Sequence, residues 1–329
     1  MFNPFPRLPF RVNKYNLRSI IGQTEYTVVY KSTGALYDYN YAIKVFSYSN
    51  IPKENAAAFE AEVNSFIKLD HPNVVHFYDF FKDENYFYLV LEYCDGGTLQ
   101  QKIRGKDEMP YSEKIFICSQ ILSALKYCSD KSISHGDIKT SNILFDCNGD
   151  IKVSDFGLNR IIKHHEYCND FGGSLNYNSP EICKNIPYNQ YKSDIWSLGV
   201  LFYRLFTQCY PFEGRSIHEI KGRIISGFYP ERIAGPIGKV VKKMLNVSPD
   251  QRPTITQLSK LDIFRSLIGP NKSQPSINHS IPSSTLVVRN MILRPQKRRD
   301  SFLSSNLPSF TIIPKVNHIS AHNSNSYLT

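Results

Sequence analysis

The stretch His135-Gly136-Asp137-Ile138-Lys139-Thr140-Ser141-Asn142 puts an aspartate, a lysine and an asparagine within six residues, and Asp155-Phe156-Gly157 brings a second aspartate 18 residues after the first. Two carboxylates, an ammonium and an amide, spaced by one hairpin of chain, are the set that phosphoryl transfer from a nucleotide needs. One aspartate can orient an attacking hydroxyl, and a lysine can neutralise the phosphoryl group in flight. An asparagine and the second aspartate can hold magnesium, a hard cation that takes oxygen ligands.

The elements that must position this set are legible from pattern. Tyr15–Ile21, Thr27–Ser32, Tyr41–Phe46, Val74–Phe81 and Tyr86–Tyr93 are rich in β-branched and aromatic residues and read as strands. Glu54–Leu69 places Phe59, Val63, Phe66 and Ile67 on one helical face and stops at His71-Pro72, because a proline disfavours helix in the residue before it. Asp95-Gly96-Gly97 marks a turn and a change of composition. Beyond Leu99 the pattern is helical, with Ile115, Ile121, Leu122 and Leu125 in one stripe. Ser193–Phe206 is apolar nearly all round, the mark of a buried helix.

With 329 residues, 41% hydrophobic and 13% aromatic, the chain can bury two sizeable cores. No apolar run is long enough for a bilayer, and the proline-broken start, Met1 to Phe10, does not resemble a secretory signal. Seven cysteines are scattered without C-x-x-C spacing, which suits reduced thiols in the cytoplasm or the nucleus. The net charge of +10 invites a nucleic-acid reading, but eight of the 39 Lys/Arg and one of the 29 Asp/Glu lie after Phe264, leaving 31 against 28 before it. The excess therefore belongs to residues 265–329, a Ser-, Asn- and Pro-rich stretch of disordered composition. Such a tail is either merely solvated or docks on an acidic partner or an anionic surface.

Taken together, these motifs resemble the eukaryotic protein kinase superfamily, of Ser/Thr type and similar to the calcium/calmodulin-dependent kinase group. The resemblance implies an α+β, bilobal protein kinase fold, with a small antiparallel β lobe carrying one helix and a larger, mainly helical lobe. Its bounds are an N-terminal extension over 1–14, an N-lobe over 15–94, a C-lobe over 95–264 and the tail over 265–329. It implies ATP and Mg2+ as cofactors, with Asp137 as catalytic base, Lys139 on the γ-phosphate, and Asn142 and Asp155 on the metal. Lys44, in Tyr41-Ala42-Ile43-Lys44, would reach the α and β phosphates, with Glu62 as its ion-pair partner and Glu60 as the alternative. Ile21, Gly22, Val29, Ala42, Leu91, Glu92, Cys94 and Leu144 would surround the nucleotide, Glu92 and Cys94 through backbone groups. Gly173 to Glu181 would receive the protein substrate, with Ser174 on Asp137 and Lys139. Glu181 would pair with Arg252, Asp194 would accept amide hydrogens from the catalytic loop, and His135 and Phe156 would pack in an internal stack.

The sequence departs from that family at three places. The glycine-rich phosphate loop reads Gly22-Gln23-Thr24-Glu25-Tyr26-Thr27-Val28-Val29 and keeps only its first glycine, so weakened nucleotide handling is expected. Gly136 stands where the family places an arginine that grips a phosphorylated activation segment, so activity is expected not to require that phosphorylation. Thr98, Ser141 and Arg204 occupy positions that are acidic in relatives selecting arginine before the acceptor, so no strong arginine preference is expected. The functional reading is a Ser/Thr protein kinase acting on protein hydroxyls; the alternative is a pseudokinase scaffold that binds nucleotide weakly and transfers little.

Overall fold

The alternation of apolar residues through the first third of the chain becomes a six-stranded antiparallel sheet in the computed structural model. The described residues are 5–24, 27–34, 39–47, 63, 66–105, 108–156 and 175–265. All fall within Met1–Pro270, one of the two units into which the chain divides. The strands are β1 (Phe10–Val12), β2 (Tyr15–Gln23), β3 (Thr27–Gly34), β4 (Asn40–Ser47), β5 (Phe77–Lys82) and β6 (Tyr86–Glu92), in the order β1-β2-β3-β4-β6-β5.

Two of these strands differ from expectation. β1 precedes Tyr15 and pairs with β2, and Phe5 is buried against Tyr86 with ring centroids 6.3 Å apart. β5 begins at Phe77 rather than Val74. Val75 instead donates its N–H to Val153 O at 3.0 Å, so residues 74 and 75 are drawn away to a second, two-stranded sheet. Of the expected helix over 54–69, only residues 63 and 66–69 are described; Val63 and Phe66 are buried, and Ile67 N–H donates to Val63 O at 3.1 Å.

Period-two alternation decides which face of β4 meets the cleft. Ile43 and Val45 join the outer core of the sheet with Tyr15, Leu17, Tyr30 and Tyr88. Ala42, Lys44 and Phe46 therefore take the opposite face, where Phe46 joins the main core.

The second part is helical: α1 (Leu99–Arg104), α2 (Tyr111–Asp130), α3 (Pro180–Cys183), α4 (Gln190–Thr207), α5 (Ile217–Ser226), α6 (Gly235–Met244), α7 (Ile255–Ser259) and α8 (Asp262–Arg265), with the hairpin β7 (Ile143–Phe145) and β8 (Ile151–Val153) between α2 and α3. Between Ser193 and Leu205 α4 is mostly buried, as its all-round apolar pattern predicts, while Tyr191 in its first turn is exposed. Leu198, Val200, Leu201 and Leu205 lose all contact with solvent, each contributing about 1.5–3 kcal/mol relative to an exposed side chain. Asn189 caps its start by accepting the Lys192 N–H at 3.2 Å, and Trp196 stacks on Phe212 at 5.3 Å.

The link between the parts runs through Gly96 and Gly97. A Cβ on Gly96 would lie 2.7 Å from Phe145 Cβ, so only glycine permits this approach. Gly96 N–H donates to Phe145 O and Phe145 N–H donates to Gly97 O, both at 2.9 Å, which fixes β7 beneath the sheet. Among the described residues no helix is long and apolar enough to cross a membrane.

Candidate active site

The loop from His135 to Asn142 is held from below by α4. Asp194 accepts the backbone N–H of His135 at 2.8 Å and of Gly136 at 2.9 Å, and the Gln190 amide at 3.3 Å. Burial raises the Asp194 carboxyl above its ordinary range in spite of these donors. Gly136 sits at φ +79°, a left-handed backbone that glycine adopts without steric cost.

His135 fixes the loop from inside. Its Nε2 lies 3.0 Å from Ser154 O, and its Nδ1 lies 3.2 Å from the Asp137 backbone nitrogen. A carbonyl only accepts and an N–H only donates, so Nε2 carries the proton and Nδ1 receives one from Asp137. Burial lowers its pKa, and the ring is neutral. The ring packs on Phe156 at 4.6 Å, Phe156 on Phe66 at 5.8 Å, and Phe66 on Phe77 at 6.4 Å. A continuous aromatic column thus runs from β5 down to the loop that Asp194 holds.

On this base the reactive groups converge. Lys139 Nζ donates to Asp137 Oδ2 at 2.7 Å. Asn142 Nδ2 donates to the same oxygen at 3.1 Å and to Asp137 O at 2.8 Å. Two donors thus turn one edge of the Asp137 carboxylate inward, and among the described residues no side chain donates to Oδ1. Because Asp137 O can only accept, the nitrogen of the Asn142 amide faces it and Oδ1 of Asn142 points elsewhere.

Asp155 holds a left-handed backbone, φ 60°, uncommon for a residue other than glycine. Lys44 Nζ donates to its Oδ1 at 2.6 Å; the lysine side chain is 6% exposed and the aspartate 33%. Burial acts to raise the Asp155 carboxyl, but the adjacent Lys44 ammonium overrides it and holds the pKa below the ordinary value. Asp155 and the Asn142 carbonyl are hard oxygen donors of the kind Mg2+ takes. Among the described residues no group of three or more His, Cys, Asp or Glu could hold a metal alone. The donor set fits an ion that completes its shell with water and phosphate oxygens.

The remaining expected residues lie around this centre. Val29 pairs across the sheet with Gly22 and with Lys44, and Ala42 pairs with Leu91. Ile21 is exposed on β2 and Leu144 is half-buried on β7. Glu92 ends β6, and its carboxylate receives Lys152 at 2.8 Å and the His76 N–H at 3.1 Å, binding the link to β8. Burial, with a contribution from Glu92, pushes the Cys94 thiol up to about 12. Glu60, Glu62, Ser174 and Gly157 lie outside the described residues. Glu181 and Arg252 do meet: the guanidinium reaches both carboxylate oxygens, at 2.7 and 2.8 Å, with the pair almost wholly buried.

Sequence reasoning missed two features. The turn after β2 is closed by its own threonines: Thr24 N–H donates to Thr27 O at 2.8 Å, Thr27 N–H to Thr24 Oγ1 at 3.1 Å, and the hydroxyls meet at 2.9 Å. Behind Lys139, Thr140 and Tyr177 share a hydroxyl cluster with Arg204. The unusual residue types at 24, 27 and 204 were the only signal; their contacts had none.

Comparison with known proteins agrees with this geometry. A family model described as protein kinase domain matches residues 15–264. The serine/threonine-protein kinase Nek5 of Homo sapiens is 32% identical over 285 residues, 84% of this chain and 40% of that protein. The CBL-interacting serine/threonine-protein kinase 17 of Arabidopsis thaliana is 31% identical over 265 residues, 78% of this chain and 60% of that protein. The chain thus spans between two fifths and three fifths of the length of these relatives. A crystal structure of Rad53 1-466 in complex with AMP-PNP aligns with a TM-score of 0.66 at 27% identity, covering 76% of this chain and 65% of that one.

Proposed function

Because the chain belongs to the protein kinase family, we propose that it is a Ser/Thr protein kinase, transferring the γ-phosphate of ATP to hydroxyls of protein substrates. The observation that carries this reading is the Asp137 carboxylate, held on Oδ2 by Lys139 and Asn142 with Oδ1 left to receive a substrate proton. Lys44 and Asp155 stand as a preformed pair at the phosphate end of the cleft. Lys139 is placed to follow charge as it moves from Asp137 to the phosphoryl group. Mg2+, when bound at Asn142 and Asp155, would supply neutralising charge to the phosphates. The likeness to Rad53, whose structure contains AMP-PNP, supports ATP as the nucleotide. The free state of all six described cysteines fits a reducing compartment, the cytoplasm or the nucleus.

Activity is proposed not to need phosphorylation of the activation segment, since Gly136 offers no side chain to grip a phosphate. Phosphatase treatment of the purified protein should leave transfer intact, and a large loss would overturn this point. The second reading, a scaffold with little transfer, is favoured by the Thr24–Thr27 closure, which occupies an N–H of the phosphate loop. Labelled ATP with Mg2+ and a generic protein substrate, run beside Asp137→Ala, separates the two. Transfer that vanishes in the variant supports the kinase, and equal background in both supports the scaffold.

A further inference from the structure

Residues 5–12 lie outside the span that the protein kinase model matches, which begins at residue 15, yet they are built into the sheet. Phe5 is buried, and its ring stacks on Tyr86 with centroids 6.3 Å apart. The Tyr30 hydroxyl donates to the Pro6 carbonyl at 2.7 Å, and Tyr30 has no contact with solvent. Phe10, Arg11 and Val12 then pair with Leu17, Asn16 and Tyr15. Phe5 shares its apolar cluster with Tyr15, Leu17, Tyr30 and Tyr88, on the face of the sheet away from the cleft.

The segment thus has anchors on three strands. Tyr86 opens β6, Tyr30 lies midway along β3, and Tyr15–Leu17 open β2. In the order β1-β2-β3-β4-β6-β5, two strands separate β2 from β6, so no ladder joins them directly. Register gives the direction of the crossing. Tyr86 pairs with Ser47, and Phe46 pairs with Thr27, so Phe5 sits at the end of the sheet that carries the phosphate turn. Tyr15 pairs with Gly34, at the opposite end. Residues 5–12 therefore cross the outer face obliquely, from the turn end of β6 to the far end of β2.

This crossing bears on the nucleotide because the two tied strands carry opposite walls of its expected place. Ile21 and Gly22 lie on β2, while Glu92 ends β6 and Cys94 follows it. β3 is held along its length by β4, from Thr27 on Phe46 to Thr33 on Asn40. β2 is the looser wall. Beyond Leu17 it pairs, among the described residues, with β3 alone, and that register shifts twice, between Leu17 and Ser19 and between Ile20 and Gly22. The angle between neighbouring strands varies widely among sheets, roughly −10 to −35°, and an oblique tie over several strands fixes it. The bonds between Thr24 and Thr27 stiffen the turn, so the turn takes its place from β2 and β3 rather than adjusting by itself.

We infer that residues 5–12 are an oblique brace that fixes β2 relative to β6, and that Phe5 is a positioning residue for the nucleotide, acting through these strands. The inference rests on the kinase reading and adds to it a determinant of nucleotide affinity that the family-matched span does not contain.

The test compares Phe5→Ala, Phe5→Leu and Tyr30→Phe in the full chain with Phe10→Ala, whose side chain is exposed on β1 and outside the cluster. For each, the Kd of AMP-PNP with Mg2+ is read by calorimetry, KM and kcat for ATP by transfer, and stability by a thermal melt. Phe5→Ala should raise Kd and KM about tenfold and leave kcat within twofold, the pattern of binding lost equally from ground and transition states. Phe5→Leu refills the place and should recover most of the affinity. Tyr30→Phe removes one hydrogen bond, keeps the ring, and should raise both constants about threefold. Phe10→Ala should leave them unchanged. If Phe5→Ala fails to fold, Tyr30→Phe carries the comparison. A lowered melting temperature with Kd and KM within twofold of the unaltered protein would overturn the brace and leave the segment as a cover for the sheet, as would an equal rise in Phe10→Ala. AMP-PNP binding weakened by Phe5→Ala in a protein that transfers no phosphate would uphold the brace and sink the kinase reading alone. No AMP-PNP binding by the unaltered protein would sink both.

Discussion

Lys44 Nζ and Asp155 Oδ1 are 2.6 Å apart, a contact between residues 111 positions distant in the chain that joins β4 to the turn after β8. The lysine is buried while a third of the aspartate side chain remains in solvent. The pair therefore places an ammonium and a carboxylate side by side where nucleotide phosphates would enter. Lys44→Met is expected to lower kcat/KM by about 10²–10³-fold, the range for removing one preorganised charge from a phosphoryl or oxyanion site. The melting temperature should move little, because Asp155 can rehydrate. Steady-state transfer beside a thermal melt checks both, and undiminished transfer would remove Lys44 from the mechanism.

The Glu181–Arg252 pair makes the opposite forecast. Arg252 reaches both oxygens of Glu181 and also donates to the carbonyls of Asn246, Lys192 and Val247. Its guanidinium lies 5.0 Å from the Trp196 ring centroid. Removing one partner strands a buried charge, so Arg252→Met should cost about 3–5 kcal/mol. The double variant with Glu181→Gln should cost less than the sum, since no carboxylate is then left unpaired. Urea denaturation of the two singles and the double gives the coupling; additive costs would mean that the contact is incidental.

In the phosphate loop, Thr24 Oγ1 takes the Thr27 N–H, a donor that could otherwise face an anion. Thr24→Gly releases it and removes a Cβ from the loop. The KM for ATP should fall about tenfold, the lower end of what one charge-assisted hydrogen bond contributes. An unchanged KM would show that the threonine closure does not limit nucleotide binding.

How far these arrangements could be read in advance depended on the range of the interaction. Five of the six strands and the buried α4 follow from local alternation and helical periodicity, whereas the three-residue β1 is too short to show a pattern; the bilobal architecture follows from motif order. Asp137, Lys139 and Asn142 lie so close in sequence that their convergence needs only one loop. Lys44 and Asp155 do not, and the partner expected for Lys44, Glu62, lies outside the described residues. β5 was misplaced at its start because Val74 and Val75 look like strand residues and are, in effect, recruited by Val153. The burial of Arg204 was illegible for a different reason. A lone arginine in an apolar helix says nothing of which hydroxyls surround it, and those come from Thr140, Tyr177 and Tyr210, three separate segments. Thr24 and Thr27 announced themselves as missing glycines, but not that they would bond to each other.

His135 gives the protein a pH dependence whose sign is fixed. Burial lowers its pKa, while Asp194, Asp137 and Asp155 pull it upward without prevailing. In the unfolded chain the imidazole returns to about 6.5. As pH falls through that value the unfolded state takes up a proton that the folded state refuses, so the stabilisation present above pH 6.5 is lost below it. His71, also lowered by burial, has the same sign, and Asp194, raised, has the opposite one. The His135 share is isolated by His135→Phe, which keeps a ring against Phe156 but cannot titrate. That variant is destabilised at every pH, because Ser154 O and the Asp137 N–H lose their partner, and this offset is constant. What changes is the slope. Between pH 7.5 and 5.5 the unaltered protein should lose up to about 1.4 kcal/mol more than the variant, read from urea denaturation at pH 7.5, 6.5 and 5.5. Parallel stability curves would mean that His135 is protonated in the folded protein, and its Nδ1 could then not accept the Asp137 N–H.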